Sequence, residues 1–303
     1  MAAPAPAQTS TTGAAPWRAQ LLDHISKLDS PIFTFTSLHP GSSGSSSSSP
    51  TVTPRGRTCI YRGMWASITW NDKNAAPRNP DVFESDCLTL TTDARMAKVP
   101  ELFASGGGGG GGDKTKSSSG GGGPVEAMFW VPETGTQWRV RGHAWVLAHD
   151  DISDTSDSSP GAKAARDAIS ARMRRTKKTG SGEEEEKESE WSWEKEVVGQ
   201  FGNLSPGMRG SFKNPPPGTP RADGPGPGEG LGQKVGDELL GDEVARRNFR
   251  VVVVVPDEVD TWDGKDPENQ RRWVYTFVGP DAKEATRPGG EVVEGWEKVE
   301  VWP

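Results

Sequence analysis

Val125-Glu-Ala-Met-Phe-Trp-Val-Pro132, Glu133-Thr-Gly-Thr136 and Gln137-Trp-Arg-Val-Arg-Gly-His-Ala-Trp-Val-Leu147 read as strand, turn and strand. In the second strand Gln137, Arg139 and Arg141 share one face and Trp138 and Val140 the other, because successive side chains of a strand point to opposite sides. The same alternation runs through Ile32–Leu38. Arg57–Tyr61 with Met64–Trp70 makes one or two strands, Cys87–Thr92 a short one, and Arg272–Val278 and Glu297–Trp302 two more. Phe249–Val255 holds a continuous β-branched run, the pattern of a strand buried on both faces. Helices are few. Pro16–Ser30 repeats Trp17, Leu21, Leu22, Ile25 and Leu28 at three- and four-residue spacing, with Pro16 suited to the first turn. Arg95–Phe103 is a short helix with Ala97, Leu102 and Phe103 facing the core and Pro100 at a turn or break. A helix followed by many short strands predicts a mainly β fold, an antiparallel β-barrel with peripheral helices.

Low-complexity sequence interrupts these blocks. The chain has 303 residues, of which 38 are Gly and 25 Pro, and only 32% are hydrophobic. An ordered part of about 180–200 residues makes one domain of ordinary size. It is expected to span 16–303 after a disordered tail, 1–15, that lacks the basic and apolar regions of a secretory signal. Inserts are expected at about 41–54, 105–124, 150–190 and 213–241, too poor in apolar residues to offset their ordering entropy and tolerated as elongated loops.

Composition also narrows the function. A net charge of −7 argues against a nucleic-acid partner held by a basic field. The longest apolar runs, such as Val251–Val255, are far short of a membrane span. Two cysteines, Cys59 and Cys87, make no disulfide framework and suggest a reducing compartment, so the expected location is the cytoplasm. His24, His39, His143 and His149 are scattered, and no metal site is expected. No Gly-x-Gly-x-x-Gly opens a helix after a strand, and Gly112-Asp-Lys-Thr115 has the wrong order for a phosphate loop.

Four segments can carry chemistry. Arg57-Thr58-Cys59-Ile60-Tyr61-Arg62 places arginines at both ends of an apolar strand, and arginine's planar fork suits phosphate, although solvated edge arginines look the same. Thr91-Thr92-Asp93-Ala-Arg95-Met-Ala-Lys98 ends a strand in hydroxyls and leads into a helix that Asp93 can cap. Its N–H groups with Arg95 and Lys98 suit a phosphate, and an ordinary capping turn has the same pattern. Gln137 offers both a donor and an acceptor to the edge of a flat heterocycle. The aromatics of Val259-Asp-Thr-Trp262, of Arg271-Arg272-Trp-Val-Tyr275 and of Trp296 through Pro303 pack in the core or against a ring.

Taken in order, these segments resemble the pyridoxamine 5'-phosphate oxidase superfamily of FMN-binding split barrels, and within it a group found in cyanobacteria, plants and fungi. The resemblance rests on Pro16-Trp17, the Arg57-x4-Arg62 strand, the Thr92-x5-Lys98 turn with Arg95, the Gln137-x4-Gly142 strand, Leu204-Ser205-Pro206-x-x-Arg209, Trp262 with Arg272, and Trp296-x6-Pro303. It implies FMN as cofactor, a split β-barrel and a homodimer with FMN at the interface. It further implies FMN contacts from Arg57 through Arg62, Thr91, Thr92, Arg95, Lys98, Gln137, Ser205, Trp262 and Arg272, with the last three reaching the partner's flavin. The pattern departs where true pyridoxamine phosphate oxidases carry Arg-x-His to hold substrate, because Glu268 and Gln270 stand there. An FMN-dependent oxidoreductase of unknown substrate is therefore expected. A non-catalytic flavin-binding or storage module, a true pyridoxamine phosphate oxidase and an empty scaffold remain as alternatives.

Overall fold

The computed structural model describes residues 13–41, 52–106, 119–153, 158–176 and 188–303. Most of the N-terminal tail and of the Ser/Gly run, the Gly112–Thr115 tract and the Glu183–Glu186 run lie outside them.

Helix α1 (Arg18–Ser26) precedes β1 (Ile32–Pro40) and β2 (Val52–Ile60), then β3 (Phe83–Ser85), β4 (Leu88–Asp93), α2 (Lys98–Ser105), β5 (Gly120–Val131) and β6 (Thr136–Leu147). After them come α3 (Pro160–Ser170), β7 (Met173–Arg175), α4 (Trp193–Gly202), α5 (Pro206–Gly210), α6 (Glu243–Asn248), β8 (Phe249–Asp263), β9 (Arg271–Phe277), β10 (Glu291–Val293) and β11 (Trp296–Val301). One sheet runs β10-β11-β9-β8-β6-β5-β1-β2, with β4 also pairing β8, and all its pairings are antiparallel.

The sheet closes on itself. Past the end of β2, the Arg62 N–H donates to Thr89 O at 2.9 Å and the Trp65 N–H to Cys87 O at 2.8 Å, so this segment joins β4. The circuit β1-β2-β4-β8-β6-β5 is a barrel, and closure removes the exposed edges of an open sheet. Phe33, Phe35, Phe129, Trp138, Val140, Leu90, Val252 and Val254 fill its interior, and α1 adds Trp17, Leu21 and Ile25. Val251, Val253 and Val255 point the other way, into a second core with Trp65, Ile169, Trp193 and Phe201. Burial of β8 on both faces follows, as its β-branched run predicts. A register shift in β6 falls at Arg141/Gly142, opposite Pro256. A Cβ on Gly142 would stand 2.0 Å from Val255 O, which is why glycine occupies the last position of Gln137-x4-Gly142.

Several local expectations are corrected. The stretch 150–190 contains α3 and β7. Ser159 caps α3, Pro160 fills its first turn, and Ala162, Ala165 and Ile169 recur on one buried face. Small side chains let that helix lie close to the sheet, so few apolar atoms suffice. Gly120–Pro124 begins β5 rather than ending an insert, and Val52–Pro54 begins β2. Met64–Trp70 is not a strand; it holds two isolated bridge residues, Met64 and Ser67, and a left-handed Ala66 at φ 62°. Pro100 lies inside α2, at a first-turn position whose N–H needs no intrahelical partner. The N-cap of α2 is Ala97, and Asp93 instead accepts the Arg95 N–H at 2.8 Å. The 213–241 stretch has only short 3-10 turns, yet it buries Val235.

Candidate functional site

Pairing of β1 with β2 sets Arg57 opposite Phe35 and Cys59 opposite Phe33, so both point to the interior side of the barrel. Thr58 and Ile60 lie opposite Thr34 and Ile32, on the outside. Helix α2 covers the interior side where Arg57 emerges. Arg57 donates from Nη1 to Ser37 Oγ at 2.6 Å and from Nη2 to Glu101 Oε2 at 2.7 Å. Glu101, 3% exposed, also pairs through Oε1 with His39 Nδ1 at 3.1 Å. Burial acts to raise the Glu101 carboxyl, and hydrogen bonds from Ser37 and Arg57 outweigh it and hold the group below its ordinary value.

One turn earlier on α2, Lys98 donates from Nζ to Thr92 Oγ1 at 2.9 Å and to Met96 Sδ at 3.1 Å. It is 7% exposed and has no ion-pair partner among the described residues. Burial, then the Arg57 charge, pushes its ammonium below the ordinary lysine value, against Cys59, Asp93 and Glu101. Burial raises the Cys59 thiol, and Lys98 and Arg57 oppose that. Arg62 sits just past β2. Its Nη2 reaches Met208 Sδ at 3.5 Å and its buried Nε has no partner among the described residues; burial lowers its pKa. Met208 belongs to α5, whose cap is Ser205, so this contact brings the Ser205 motif to Arg62.

Other predicted residues have different surroundings. Arg95 is filled by protein: it donates to Asp93 at 2.9 and 2.7 Å, to Glu229 at 2.7 Å and to Asn214 O at 2.9 Å. Tyr61 is core, edge-on to Phe129 at 6.1 Å, and burial raises its hydroxyl far above the ordinary value. Strand alternation turns Thr91 away from the Thr92–Lys98 pair.

A second group lies on the outer face. Trp130, Gln137, Trp262 and Arg272 are register neighbours across β5, β6, β8 and β9. Trp130 and Trp262 stack at 6.4 Å, and Trp262 Nε1 donates to Gln270 at 3.2 Å. Asp260 accepts Arg272 through both oxygens, at 3.0 and 2.7 Å, and Arg139 Nη2 at 2.6 Å. Burial acts to raise Asp260, and the bonds from Arg272 and Arg139 hold it below its ordinary value. The structure therefore divides the predicted set. Arg57, Cys59, Thr92 and Lys98 meet on the interior side, with Arg62 and Ser205 at the barrel's edge. Thr58, Ile60, Gln137, Trp262 and Arg272 lie outside. Sequence reasoning missed Ser37, His39, Glu101, Met208 and Asp260. Only Glu101 carried a signal, three residues after Lys98 on one helix face. Among the described residues no His, Cys, Asp or Glu group can hold a metal ion, and no helix is long and apolar enough to cross a membrane.

Lys98, without an ion-pair partner among the described residues, together with the Thr92 hydroxyl it donates to and the neighbouring Arg57 charge, suits a phosphate group. Fold and site thus define a β-barrel with a cationic cluster beside α2. Residues 14–148 match the family model described as pyridoxamine 5'-phosphate oxidase, FMN-binding domain. The stretch includes every predicted residue from Arg57 to Gln137, whereas Ser205, Trp262 and Arg272 lie beyond it. Among solved structures, a pyridoxamine 5'-phosphate oxidase-related, FMN binding protein from Nostoc punctiforme PCC 73102 is similar at 15% identity, with a TM-score of 0.49 over 96% of this chain and 99% of that one. PhzG from Burkholderia lata 383, in complex with tetrahydrophenazine-1-carboxylic acid, is similar at 12% identity, with a TM-score of 0.40 over 98% of this chain and 100% of that one. No curated protein matches the sequence.

Proposed function

We propose that the protein is an FMN-dependent oxidoreductase that works as a cytoplasmic homodimer, with flavin held between the two copies. Lys98 is the observation that carries this reading. A buried ammonium without a carboxylate is costly, and a phosphate placed against it and Thr92 offsets that cost. Lys98, Thr92 and Arg57 would hold the phosphate. Arg62, with its unpartnered Nε, would hold the ribityl end. Bound FMN would accept a hydride from substrate and pass the electrons to an acceptor. The protein's own part is to bind the phosphate, orient the ring and keep water away.

The homodimer is supported by the division of the predicted residues. Gln137, Trp262 and Arg272 lie on the opposite side of the barrel wall from Arg57 and Lys98, so one copy alone does not bring them together. A second copy that presents its outer face to the cationic edge completes the set. Glu268 and Gln270 are exposed in the β8–β9 connection. A carboxylate there repels a phosphorylated substrate, which favours an unphosphorylated one over pyridoxamine phosphate. The free thiols Cys59 and Cys87 are in keeping with the cytoplasm.

An absorbance spectrum with flavin titrations tests this reading. A band near ~450 nm, the mark of bound flavin, is expected, with affinity lost in Arg57→Ala and Lys98→Ala. A colourless protein that takes up no FMN would overturn it.

A further inference from the structure

The Arg57 fork is fixed from behind by a buried acid, Glu101, and still leaves donors free. Glu101 and Ser37 take one N–H from each terminal nitrogen of its fork. A guanidinium has five N–H donors, so three remain, on a side chain 22% exposed. Glu101 is itself held by Ser37 and His39, and it shares a face of α2 with Lys98. One helix thus supplies a cation for an anionic ligand and a carboxylate that aims a second cation.

Electrostatics alone assigns Glu101 the opposite role, since a carboxylate so near a phosphate weakens its binding by like-charge repulsion. The geometry favours orientation. Without Glu101, Arg57 keeps only the Ser37 hydroxyl among the described residues to hold it, and freezing a freer arginine on binding costs rotamer entropy.

We propose that Glu101 is a positioning residue of the cofactor site, holding the Arg57 fork so that the site selects phosphorylated flavin over riboflavin. The inference rests on the reading of Lys98 and Arg57 as phosphate ligands. It extends that reading to a residue that touches no cofactor and to the basis of ligand choice.

The test is a pair of fluorescence titrations, FMN and riboflavin, on wild type, Glu101→Gln, Ser37→Ala, Arg57→Ala and the double variant Arg57→Ala/Glu101→Gln. Wild type should prefer FMN. Glu101→Gln should weaken FMN about tenfold, the scale of one charge-assisted hydrogen bond, and leave riboflavin unchanged. Ser37→Ala should move FMN the same way by less. In the Arg57→Ala background Glu101→Gln should add nothing, since its effect passes through Arg57. Unchanged or tighter FMN binding by Glu101→Gln overturns the proposal. So does equal weakening of both flavins, which would mark a purely structural role, and so does an effect that persists without Arg57. If Glu101→Gln does not fold, the Ser37→Ala titrations decide alone. Wild type that binds riboflavin as tightly as FMN removes the phosphate reading itself, and this outcome is visible before any variant is made.

Discussion

Lys98 and Arg95 stand three residues apart in one motif, and the structure treats them differently. Lys98 is buried against Thr92 without a counter-charge, so its ammonium is held below the ordinary value, mainly by burial. A phosphate dianion, the dominant form above pH ~7, favours the ammonium. FMN affinity is then full below the lowered Lys98 pKa of the free protein. It should fall as pH rises through that value, by at most about tenfold per pH unit for one linked proton. The stability of the flavin-free protein should move the other way, rising with pH between that value and about 10.4, because the unfolded chain holds the proton longer. Titrations from pH 7 to 10 check both, and Lys98→Arg, which stays charged, should flatten the affinity profile. Arg95 already has Asp93, Glu229 and two carbonyls. Arg95→Ala should therefore cost about 2 kcal/mol of stability, the scale of a lost charged hydrogen-bond set, while FMN affinity stays near wild type. A matching loss of affinity in calorimetry would return Arg95 to the cofactor. The Thr92–Lys98 contact was legible because it is local. The commitment of Arg95 to Glu229, 134 positions away, has no mark in the sequence, and Ser37 and Glu101 look like ordinary strand and helix residues until β1 and α2 are packed together.

At the level of elements, strands with alternating side chains were legible almost to the residue, as β1, β4, β6 and the valine run of β8 demonstrate. Composition misled where small residues do the packing. In α3 the buried face is two alanines and an isoleucine, so the segment reads as polar filler although it completes the second core. Ile169→Ala there should cost about 2–5 kcal/mol, as for other fully buried isoleucines, read from chemical denaturation. An unchanged midpoint would mean that α3 contributes little to the fold. Glycine tracts misled for a related reason. Gly120–Gly123 read as linker, yet the backbone of β5 runs against the end of α2. A Cβ on Gly106 would meet Gly121 O at 1.9 Å, although its φ of −86° suits any residue. Gly106→Ala is thus a purely steric change that pushes α2 off the sheet. Because α2 carries Lys98 and Glu101, it should lower the melting temperature and FMN affinity together. Loss of stability with intact affinity would separate α2 docking from the cofactor site.

For the whole molecule, the outer face of the barrel is where the proposed assembly is tested. Ile60 lies opposite Ile32, and Trp130, Gln137 and Trp262 follow one another across β5, β6 and β8, with Ile32 46% and Trp130 47% exposed. Apolar side chains gathered on one exposed sheet face mark an interaction surface, and large aromatics near the centre of such a patch tend to carry most of the binding energy. The proposed flavin site supplies the occupant, since the residues on this face are those a second copy would bring to the Arg57–Lys98 edge. Trp130→Glu places a charge in the patch without touching Lys98, Arg57 or the barrel interior. Burying that charge costs several kcal/mol, enough to shift a dimer equilibrium by about a hundredfold or more. In sedimentation velocity wild type should run as a dimer and Trp130→Glu as a monomer at micromolar concentration. FMN affinity should fall with dimerisation although every phosphate ligand is intact. A Trp130→Glu monomer that binds FMN as tightly as wild type would place the whole cofactor site within one copy. A Trp130→Glu dimer would move the interface to another face of the barrel.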